Sequence, residues 1–359
     1  MKRVGILTSG GDCQGLNAAI RGVCRALYES YDEYELEIYG IIDGYKGLIN
    51  GECRLMRVDE FSGILTQGGT ILGTSRQPFK QIRDIDEDGI NKIEEMKRTY
   101  KKLKLDCLVV LGGNGSQKTA NLLSEEGLNI VSLPKTIDND LWGTDITFGF
   151  QSAVDIATNV IDCIHTTAMS HSRIFIVELM GHKAGWLTLH AGIASGADII
   201  LIPEIPYKLD DVVRDLEKRN KQGKNYSILA VAEGAIPKEY AKLPKKERKE
   251  AMENMNHPTI SYKLADDLQK SMGQEVRVAV PGHFQRGGSP CPYDRVLATR
   301  FGTEAARLIR KENYGRMVSM KDGEIKSVSL KGIAGKLKLV PTDSSIIECA
   351  RDIGIGFGD

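Results

Sequence analysis

The sequence predicts an α/β protein with two similar three-layer domains, each built on a mainly parallel sheet. Its 359 residues are too many for one ordinary hydrophobic core and enough for two α/β domains. Short apolar runs alternate with segments of helical spacing, and most runs end in a glycine-rich or polar loop. Ligands bind at the carboxyl ends of parallel strands in such sheets, so these loops are the first candidates for a functional site.

The composition argues against several function classes. Lys+Arg 48 balances Asp+Glu 48, which argues against a general binder of nucleic acid or of membrane surfaces. The seven cysteines form no CxxC pair, so we predict free thiols in a reducing compartment, without a disulfide framework or zinc site. No apolar run reaches the length of a membrane span, and the first apolar run is too short for a signal peptide. We therefore expect a cytoplasmic protein.

The first strand, at residues 4–7, is followed by a glycine turn at 8–15 and a helix that opens at Leu16. Small residues let an anion approach the backbone, and the helix N-terminus presents free N–H groups to it. The turn matches neither GxxxxGK[ST] nor GxGxxG, which argues against the common nucleotide loop and against a dinucleotide-dependent dehydrogenase. A plain turn between strand and helix is the alternative interpretation.

The same strand-and-loop design recurs twice in the next hundred residues. The pairs are a strand at 36–42 with a loop at 43–47, and a strand at 106–111 with a loop at 112–116. A helix is expected from near Gln117, and the charged segment 90–104 is predicted to be a solvated helix. The glycine-rich loop 68–76 ends in Arg76, whose guanidinium could clamp a phosphate or could lie on the surface. We expect these loops to gather on one edge of a parallel sheet.

The most informative loop follows the buried strand 129–133 and reads PKTIDND at residues 134–140. Asp138 and Asp140 are spaced i, i+2, an arrangement that suits the transfer of a charged group. One carboxylate could accept a proton from a hydroxyl, and the other could help to hold a metal ion. A polar turn is the alternative, because Asp and Asn favour turns through local hydrogen bonds.

The second half of the chain repeats this pattern. Strands are predicted at 173–179, 198–204, 227–232 and 277–280, and helices at 153–168 and 209–222. After the last strand, His283 and Arg286 stand three apart and could bind a phosphate ester together; a satisfied core histidine is the alternative for His283. The charged segment 238–253 is predicted to be a solvated helical excursion, and the tail mixes strand-like pieces.

Six motifs, in this order along the chain, together resemble the phosphofructokinase family. They are LTSGGD (7–12), GYKGL (44–48), GGNGS (112–116), PKTIDND (134–140), ELMGH (178–182) and GHFQRGGSP (282–290). The match spans residues 4–310. The resemblance implies an active site in the cleft between two domains. A phosphoryl-donor domain would comprise 1–148 with 285–335, and a sugar-phosphate domain 149–284 with 336–359.

The resemblance implies transfer of a phosphoryl group from ATP to the 1-hydroxyl of fructose 6-phosphate, giving fructose 1,6-bisphosphate in glycolysis. Asp138 would be the general base, Thr136 would lie beside the transferring group, and Arg76 would stabilise its charge. The implied donor-binding residues are Gly11, Tyr45, Arg76, Gln77, Gly113, Asn114, Gly115, Ser116 and Lys135. The implied substrate-binding residues are Thr136, Ile137, Asp138, Arg173, Met180, Gly181, His182, Glu233, Arg277, His283, Phe284, Gln285 and Arg286.

The implied cofactor is Mg²⁺, held by Asn114 and Asp140 together with the donor phosphates. The implied assembly is a homo-oligomer, a tetramer, in which Arg173 and Arg277 reach the sugar phosphate of a neighbouring subunit. Neither nucleic acid nor a membrane is an expected partner.

Two residues depart from the pattern of many ATP-dependent members. Asn114 stands where these members have an acidic residue, and His182 stands where they have a further phosphate-binding arginine. Asn114 therefore keeps open a catalytically silent sugar-phosphate-binding regulatory subunit as an alternative. Arg21 and Arg54 could serve the effector site of the family, or they could be ordinary surface residues.

The identity of the donor depends on two residues that favour different answers. A glycine at position 115 leaves room for a nucleotide in this family, whereas a lysine at position 135 is typical of pyrophosphate users. A pyrophosphate-dependent phosphotransferase is therefore the alternative. We favour ATP, because a side chain at Gly115 would block the nucleotide outright, while Lys135 only adds positive charge near the phosphates.

Overall fold

The computed structural model describes residues 1–85, 89 and 91–359 and divides the chain into two compact units. The first unit contains Met1–Ile137, Leu141–Ser152 and Arg286–Lys338. The second contains Asp138–Asp140, Ala153–Gln285 and Leu339–Asp359. No helix within the described ranges is both long and apolar enough to cross a membrane.

Strands and helices alternate through most of the described residues, as the apolar runs predicted. The strands are β1 (Lys2–Ser9), β2 (Leu36–Ile41), β3 (Cys53–Met56), β4 (Cys107–Gly112), β5 (Ile130–Pro134), β6 (Ile174–Leu179), β7 (Ile199–Leu201), β8 (Ser227–Ala232), β9 (Val276–Ala279), β10 (Arg316–Lys321) and β11 (Glu324–Ser329). The α-helices are α1 (Leu16–Tyr28), α2 (Tyr45–Asn50), α3 (Lys92–Lys102), α4 (Asn114–Glu125), α5 (Phe150–His171), α6 (Trp186–Ala194), α7 (Leu209–Lys221), α8 (Lys238–Ala241), α9 (Lys245–Glu253), α10 (Ile260–Met272), α11 (Pro292–Arg310), α12 (Leu330–Ile333) and α13 (Ser345–Asp352).

The first unit is built on a seven-stranded sheet in the order β11-β10-β5-β4-β1-β2-β3. The five inner strands run parallel, and the antiparallel strands β11 and β3 form the two edges. Every residue of β4 is buried, as expected for a central parallel strand with both faces covered. The carboxyl ends of β1, β2, β4 and β5 therefore share one edge of the sheet.

Helices cover both faces of this sheet. On one face, the sheet residues Leu7 and Val110 belong to a single core cluster with residues of α2, α3 and α4. Helices α1 and α11 contribute nothing to that cluster; they pack on each other and against β2, β5 and β10. Gly302 permits their close approach, because a Cβ at this position would lie 2.6 Å from the carbonyl oxygen of Ala19.

The second unit is built on a four-stranded, wholly parallel sheet in the order β7-β8-β6-β9. Its strands pack in one cluster with α7 and α10, through residues such as Leu216 and Leu264. The C-terminal segment runs beside β7, where the amide of Ile200 donates to the carbonyl oxygen of Gly356 at 2.9 Å. The two predicted α/β sheets are confirmed.

The predicted boundaries differ from the structure at several places for local reasons. The helix after β4 begins at Asn114, earlier than Gln117, because Gly113 is the extended residue that caps it. The strand predicted at 198–204 is confined to β7. The charged excursion forms two helices, α8 and α9, with Pro244 directly before the second. Helix α3 begins at Lys92, and residue 90 of the predicted helix lies outside the described residues.

Candidate functional site

The glycine and polar loops of the first unit lie together at the carboxyl edge of its sheet, as predicted. The Ser116 hydroxyl, at the start of α4, donates to the Ser9 hydroxyl at the end of β1, at 3.0 Å. The ammonium of Lys135, just after β5, donates to the carbonyl oxygen of Gly11. Since Lys135 is only 3% exposed, its positive charge is fixed beneath the glycine turn.

The loop that carries Arg76 is fastened to the ends of β1 and β2. The amide of Gly10 donates to the Ser75 carbonyl oxygen at 3.0 Å, and the Thr74 hydroxyl donates to the Gly10 carbonyl oxygen at 2.7 Å. The Ser75 hydroxyl donates to the carbonyl oxygen of Asp43 at 2.5 Å. Arg76 itself is exposed, and its side chain makes no hydrogen bond or ion pair with any residue that the structure describes. The guanidinium is therefore available to an anionic ligand.

The N-terminus of α4 presents a further anion-binding feature. Its first turn, residues 114–116, carries backbone N–H groups without helical acceptors, which favour negative charge nearby. Gly115 is exposed, and a Cβ added there would meet no atom within 4 Å. The Asn114 side-chain amide donates to the Lys336 carbonyl oxygen at 2.8 Å, which leaves its own oxygen as an acceptor.

Tyr45 does not line this edge as the resemblance implied. Its side chain is 1% exposed within the core cluster, and its hydroxyl donates to the carbonyl oxygen of Ser116 at 2.9 Å. Burial raises the pKa of this phenol well above its usual value. Tyr45 therefore supports the first turn of α4 from below and does not present its ring to a ligand.

The two carboxylates of the PKTIDND loop differ in their exposure to solvent. Asp138 is partly exposed, whereas Asp140 is 5% exposed. Asn139, between them, adopts the left-handed conformation with φ 51°, which asparagine tolerates better than most residues. Thr136 is 7% exposed and Ile137 is fully buried. Any contact of Ile137 with a substrate would therefore have to be made by its backbone.

In the second unit, Glu233 holds the loop after β6. Its Oε1 accepts the amides of Gly181 at 3.2 Å and of His182 at 2.8 Å. Glu233 is exposed, and its Oε2 has no hydrogen-bond partner in the described part of the chain. This oxygen can accept a hydrogen bond from a ligand hydroxyl. The side chains of Met180 and His182 are at least partly exposed beside it.

The four residues predicted to bind substrate in the loop after β9 differ in their exposure and in their contacts. His283 and Phe284 are exposed, so the alternative of a core histidine is wrong. Gln285 is fully buried; it accepts the Met180 amide at 3.2 Å and donates to the Gly282 carbonyl oxygen at 3.0 Å. Its side chain therefore has a structural role and does not face a substrate, which corrects the expectation.

Arg286 belongs to the first unit, within the segment 285–335 that the resemblance assigned to the donor domain, although the resemblance also placed it among the sugar-phosphate-binding residues. Its guanidinium donates to the Asp12 carbonyl oxygen at 2.9 Å. It also covers Gly11, where a Cβ would lie 2.9 Å from Nη1, so a side chain at position 11 would displace the arginine. Arg286 therefore contacts the glycine turn after β1.

Arg173, directly before β6, and Arg277, in the neighbouring strand β9, both pair with the carboxylate of Glu275. The Nε of Arg173 lies 2.5 Å from one oxygen of Glu275, and Arg277 pairs with the other oxygen. The hydrogen bond from Arg173 is the main cause that holds the pKa of Glu275 below its usual value. The structure thus brings both predicted arginines together on the surface of the second unit.

The sequence reasoning did not identify the buried residues that support these loops. Asn17 is fully buried on α1 and holds residues 67–71 through its amide group. A lone asparagine within an apolar helix face, among Leu16, Ala18 and Ile20, is the signal that could have drawn attention to it.

Comparison with known proteins identifies the family. The family model described as phosphofructokinase matches residues 3–309. A Spirochaeta thermophila protein named ATP-dependent 6-phosphofructokinase is 56% identical over 358 residues, covering 99% of this chain and 97% of that protein. A Bacteroides thetaiotaomicron protein named ATP-dependent 6-phosphofructokinase 3 is 46% identical over 360 residues, covering 99% of this chain and 100% of that protein.

Solved structures show the same fold. The phosphofructokinase of Pichia pastoris in the T-state superposes with a TM-score of 0.79 at 32% identity, over 98% of this chain and 36% of that much longer one. A pyrophosphate-dependent phosphofructokinase from Nitrosospira multiformis superposes with a TM-score of 0.82 at 19% identity, over 99% and 89% of the two chains, which supports the fold alone. On the family model and the identity to these relatives together, the chain belongs to the phosphofructokinase family.

Proposed function

We propose that the chain is an ATP-dependent 6-phosphofructokinase of glycolysis, which converts fructose 6-phosphate and ATP into fructose 1,6-bisphosphate and ADP. The 56% identity to a relative named for this activity, over nearly the whole of both chains, supports the assignment. The presence of Asp138, Thr136 and Arg76 argues against a catalytically silent regulatory subunit.

The observation that carries the choice of donor is the open space beside Gly115. A glycine in a helix is unfavourable by about 0.5–1 kcal/mol relative to alanine, so its presence in the first turn of α4 needs another reason. Neither packing nor a left-handed backbone supplies one, because no atom lies within 4 Å of its Cβ position and its φ is negative. Room for the nucleoside of ATP supplies that reason.

Pyrophosphate is the second candidate for the donor, and one observation favours it. The buried ammonium of Lys135 is a fixed positive charge at the glycine turn, which would suit a compact, highly charged donor. The same charge also suits the phosphates of ATP, so Lys135 does not distinguish the two donors by itself.

The donor half of the reaction belongs to the first unit in this proposal. The glycine turn at Gly11, the capping residue Gly113, and the first turn of α4 with Ser116 would receive the phosphates through backbone N–H groups. Arg76 would stabilise the charge on the transferring group, with Gln77 beside it in the loop. Tyr45 would act indirectly through the carbonyl oxygen of Ser116.

Asp138 is proposed as the general base. Its carboxylate would accept the proton of the sugar 1-hydroxyl while that oxygen forms a bond to the γ-phosphorus of ATP and the bond to ADP breaks. The hydroxyl group of Thr136, two residues earlier, would donate a hydrogen bond to the transferring phosphoryl group. The partial exposure of Asp138, against the burial of Asp140, is what supports this choice between the two carboxylates.

The second unit is proposed to bind fructose 6-phosphate. The free oxygen of Glu233 would accept a sugar hydroxyl, with Met180, Gly181 and His182 forming the loop beside it. His283 and Phe284 would offer their exposed side chains. Gln285 would fix the loop and Ile137 would act through its backbone, and Arg286 would brace the glycine turn.

A divalent metal fits the residues present, and we propose Mg²⁺. The described residues contain no group of three or more His, Cys, Asp and Glu side chains that could hold an ion unaided. Mg²⁺ commonly takes one or two protein oxygens and completes its coordination with water and substrate phosphates. Asp140 would supply a carboxylate and Asn114 its amide oxygen, and the ion would neutralise charge on the donor phosphates.

The assembly and location complete the proposal. We propose a cytoplasmic homotetramer in which Arg173 and Arg277 contact the sugar phosphate bound to a neighbouring subunit. Arg277 is exposed and Arg173 is partly exposed where they pair with Glu275, which supports a role toward a partner.

The test is the initial rate with fructose 6-phosphate and magnesium, comparing ATP with pyrophosphate as the donor. We expect turnover with ATP. Turnover with pyrophosphate alone would assign the donor to the second candidate, and turnover with neither would overturn the proposal. Asp138→Asn should lower kcat about 10²–10⁴-fold, the usual range for a general base, with little change in the KM of fructose 6-phosphate.

A further inference from the structure

The side chain of Arg76 has no anchor of its own in the described part of the chain. It is exposed, and neither a hydrogen bond nor an ion pair to another described residue holds its guanidinium. Its position therefore follows from the backbone of the loop that precedes it, residues 67–75, which forms neither helix nor strand. The residues that hold this loop decide where Arg76 is presented.

Asn17 makes three side-chain hydrogen bonds to this loop. Its amide nitrogen donates to the carbonyl oxygens of Gln67 at 3.1 Å and Gly68 at 3.2 Å, and its Oδ1 accepts the amide of Ile71 at 2.8 Å. The side chain is 0% exposed, so no water competes for these bonds. The amide group thus combines donation to two carbonyl oxygens with acceptance from one N–H, whereas a carboxylate of the same size has no donor to offer.

Thr8 and Thr70 hold the next part of the loop. The Thr8 hydroxyl donates to the Gly73 carbonyl oxygen at 2.6 Å and lies 3.0 Å from the Thr70 hydroxyl. The Thr70 hydroxyl in turn accepts the amide of Leu72 at 3.2 Å. Thr8 is also fully buried. A buried polar network that is satisfied in this way restricts the loop to one conformation.

We propose that Asn17 is a positioning residue for phosphoryl transfer: it contacts no substrate, and it acts by fixing the loop that presents Arg76. The inference rests on the proposed function of Arg76. A general structural role would be different: Asn17 would then only stabilise the fold, and the effect of its substitution on kcat would not depend on whether Arg76 is present.

The first test is a double-mutant cycle on kcat. Asn17→Ala should lower kcat about 10²-fold, the effect of misplacing a catalytic group by about 1 Å, with little change in the KM of fructose 6-phosphate. In the Arg76→Ala background, the same substitution should have almost no further effect, because its target is gone. Multiplicative effects of the two substitutions would overturn the proposal.

A matched control separates positioning from stability. Val23 is also fully buried on α1, about 1.7 turns further along the helix, and its backbone lies close to Gly302 of α11. Val23→Ala should lower the melting temperature while kcat remains within about twofold of the wild type, since the loop is intact. An equal loss of kcat in Val23→Ala would mean that Asn17 acts through stability alone.

Hydrogen exchange gives a readout that does not depend on activity. The amide of Ile71 donates to Asn17, and the amide of Gly10 donates to the carbonyl oxygen of Ser75. In Asn17→Ala, both amides should exchange at least tenfold faster than in Val23→Ala. Unchanged exchange would overturn the proposal even if kcat fell. If Arg76→Ala leaves kcat unchanged, the proposed role of Arg76 fails, and with it the catalytic part of this inference.

Asn17→Asp is the second variant, should Asn17→Ala not fold. This substitution retains the size of the side chain and the oxygen that accepts the Ile71 amide. It replaces the amide nitrogen by a carboxylate oxygen, which cannot donate to the carbonyl oxygens of Gln67 and Gly68. The same cycle and the same exchange measurement apply to it, with the same expected results.

Discussion

Substitution of Gly115 tests the donor assignment most directly. The structure predicts that the fold tolerates a side chain there, because a Cβ would meet no atom within 4 Å. Removing a glycine from a helix stabilises it by about 0.5–1 kcal/mol. Gly115→Ala should therefore raise the melting temperature by about 1–3 °C. Gly115→Asp should also fold, since an acidic residue is favourable in the first turn of a helix.

The effect on ATP should be large by comparison. A carboxylate in the space of the nucleotide opposes the donor by like charge and by volume, and juxtaposed like charges cost several kcal/mol. With about 3 kcal/mol as the estimate, the KM for ATP should rise about 10²-fold in Gly115→Asp, at about 1.4 kcal/mol per tenfold change. Gly115→Ala should show a smaller rise, because it adds volume without charge.

The assay is the initial rate at saturating fructose 6-phosphate over a range of ATP, paired with thermal unfolding of each variant. Gly332→Ala in α12 is the matched control: its Cβ would lie 3.9 Å from Ser329, in ordinary contact, so it should leave the KM for ATP unchanged. An unchanged KM for ATP in a folded Gly115→Asp protein would refute the reasoning, because the nucleotide would then not occupy this space.

Three further substitutions test other parts of the structure. Glu275→Gln should lower the KM for fructose 6-phosphate about two- to fivefold, the range of an exposed ion pair, by freeing its two arginines; a raised KM would contradict this. Hydrogen bonds from Arg351 hold the pKa of Asp359 below its usual value, so their stabilisation is present above pH about 4 and is lost as the pH falls through the lower folded pKa. As the pH is lowered, the melting temperature should therefore fall more steeply in the wild type than in Asp359→Asn. Parallel curves of melting temperature against pH for the two proteins would disprove this contribution of Asp359. Gly302→Ala should destabilise the protein by about 1–3 kcal/mol through overpacking, whereas substitution of its partly exposed neighbour, Thr303→Ala, should change stability by less than about 0.5 kcal/mol in chemical denaturation.

The sequence was sufficient where the signal is local. Apolar runs that end in glycine or polar residues predicted β1, β2, β4 and β5 and the edge of the first sheet that they share, and the helix predicted to open at Leu16 begins there. The inner strand β10 was not predicted, because the tail showed only a mixture of strand-like pieces. Helix α11 was not predicted, although Pro292 at its first position and the apolar residues Leu297, Phe301 and Leu308 at helical spacing were visible signals.

The sequence was insufficient where the role of a residue depends on distant partners. Tyr45 lies in a glycine-rich motif that resembles a ligand loop, but tertiary packing buries its ring in the core. Arg286 lies within the motif at 282–290, directly after the segment Ala153–Gln285 of the second unit ends, yet its guanidinium covers Gly11, which is far away in sequence. Neither orientation could be deduced from local spacing, because each depends on which segment supplies the neighbouring surface.

The discontinuity of the first unit has a consequence for how the protein is made. Strand β10, which pairs with β5, and helix α11, which packs on α1, both belong to the segment Arg286–Lys338. The ribosome must first synthesise residues 153–285, which takes on the order of ten seconds at ordinary translation rates. During this interval β5 has an unpaired edge and α1 an uncovered apolar face. The nascent chain is therefore most exposed to aggregation and to chaperone capture at this stage of synthesis.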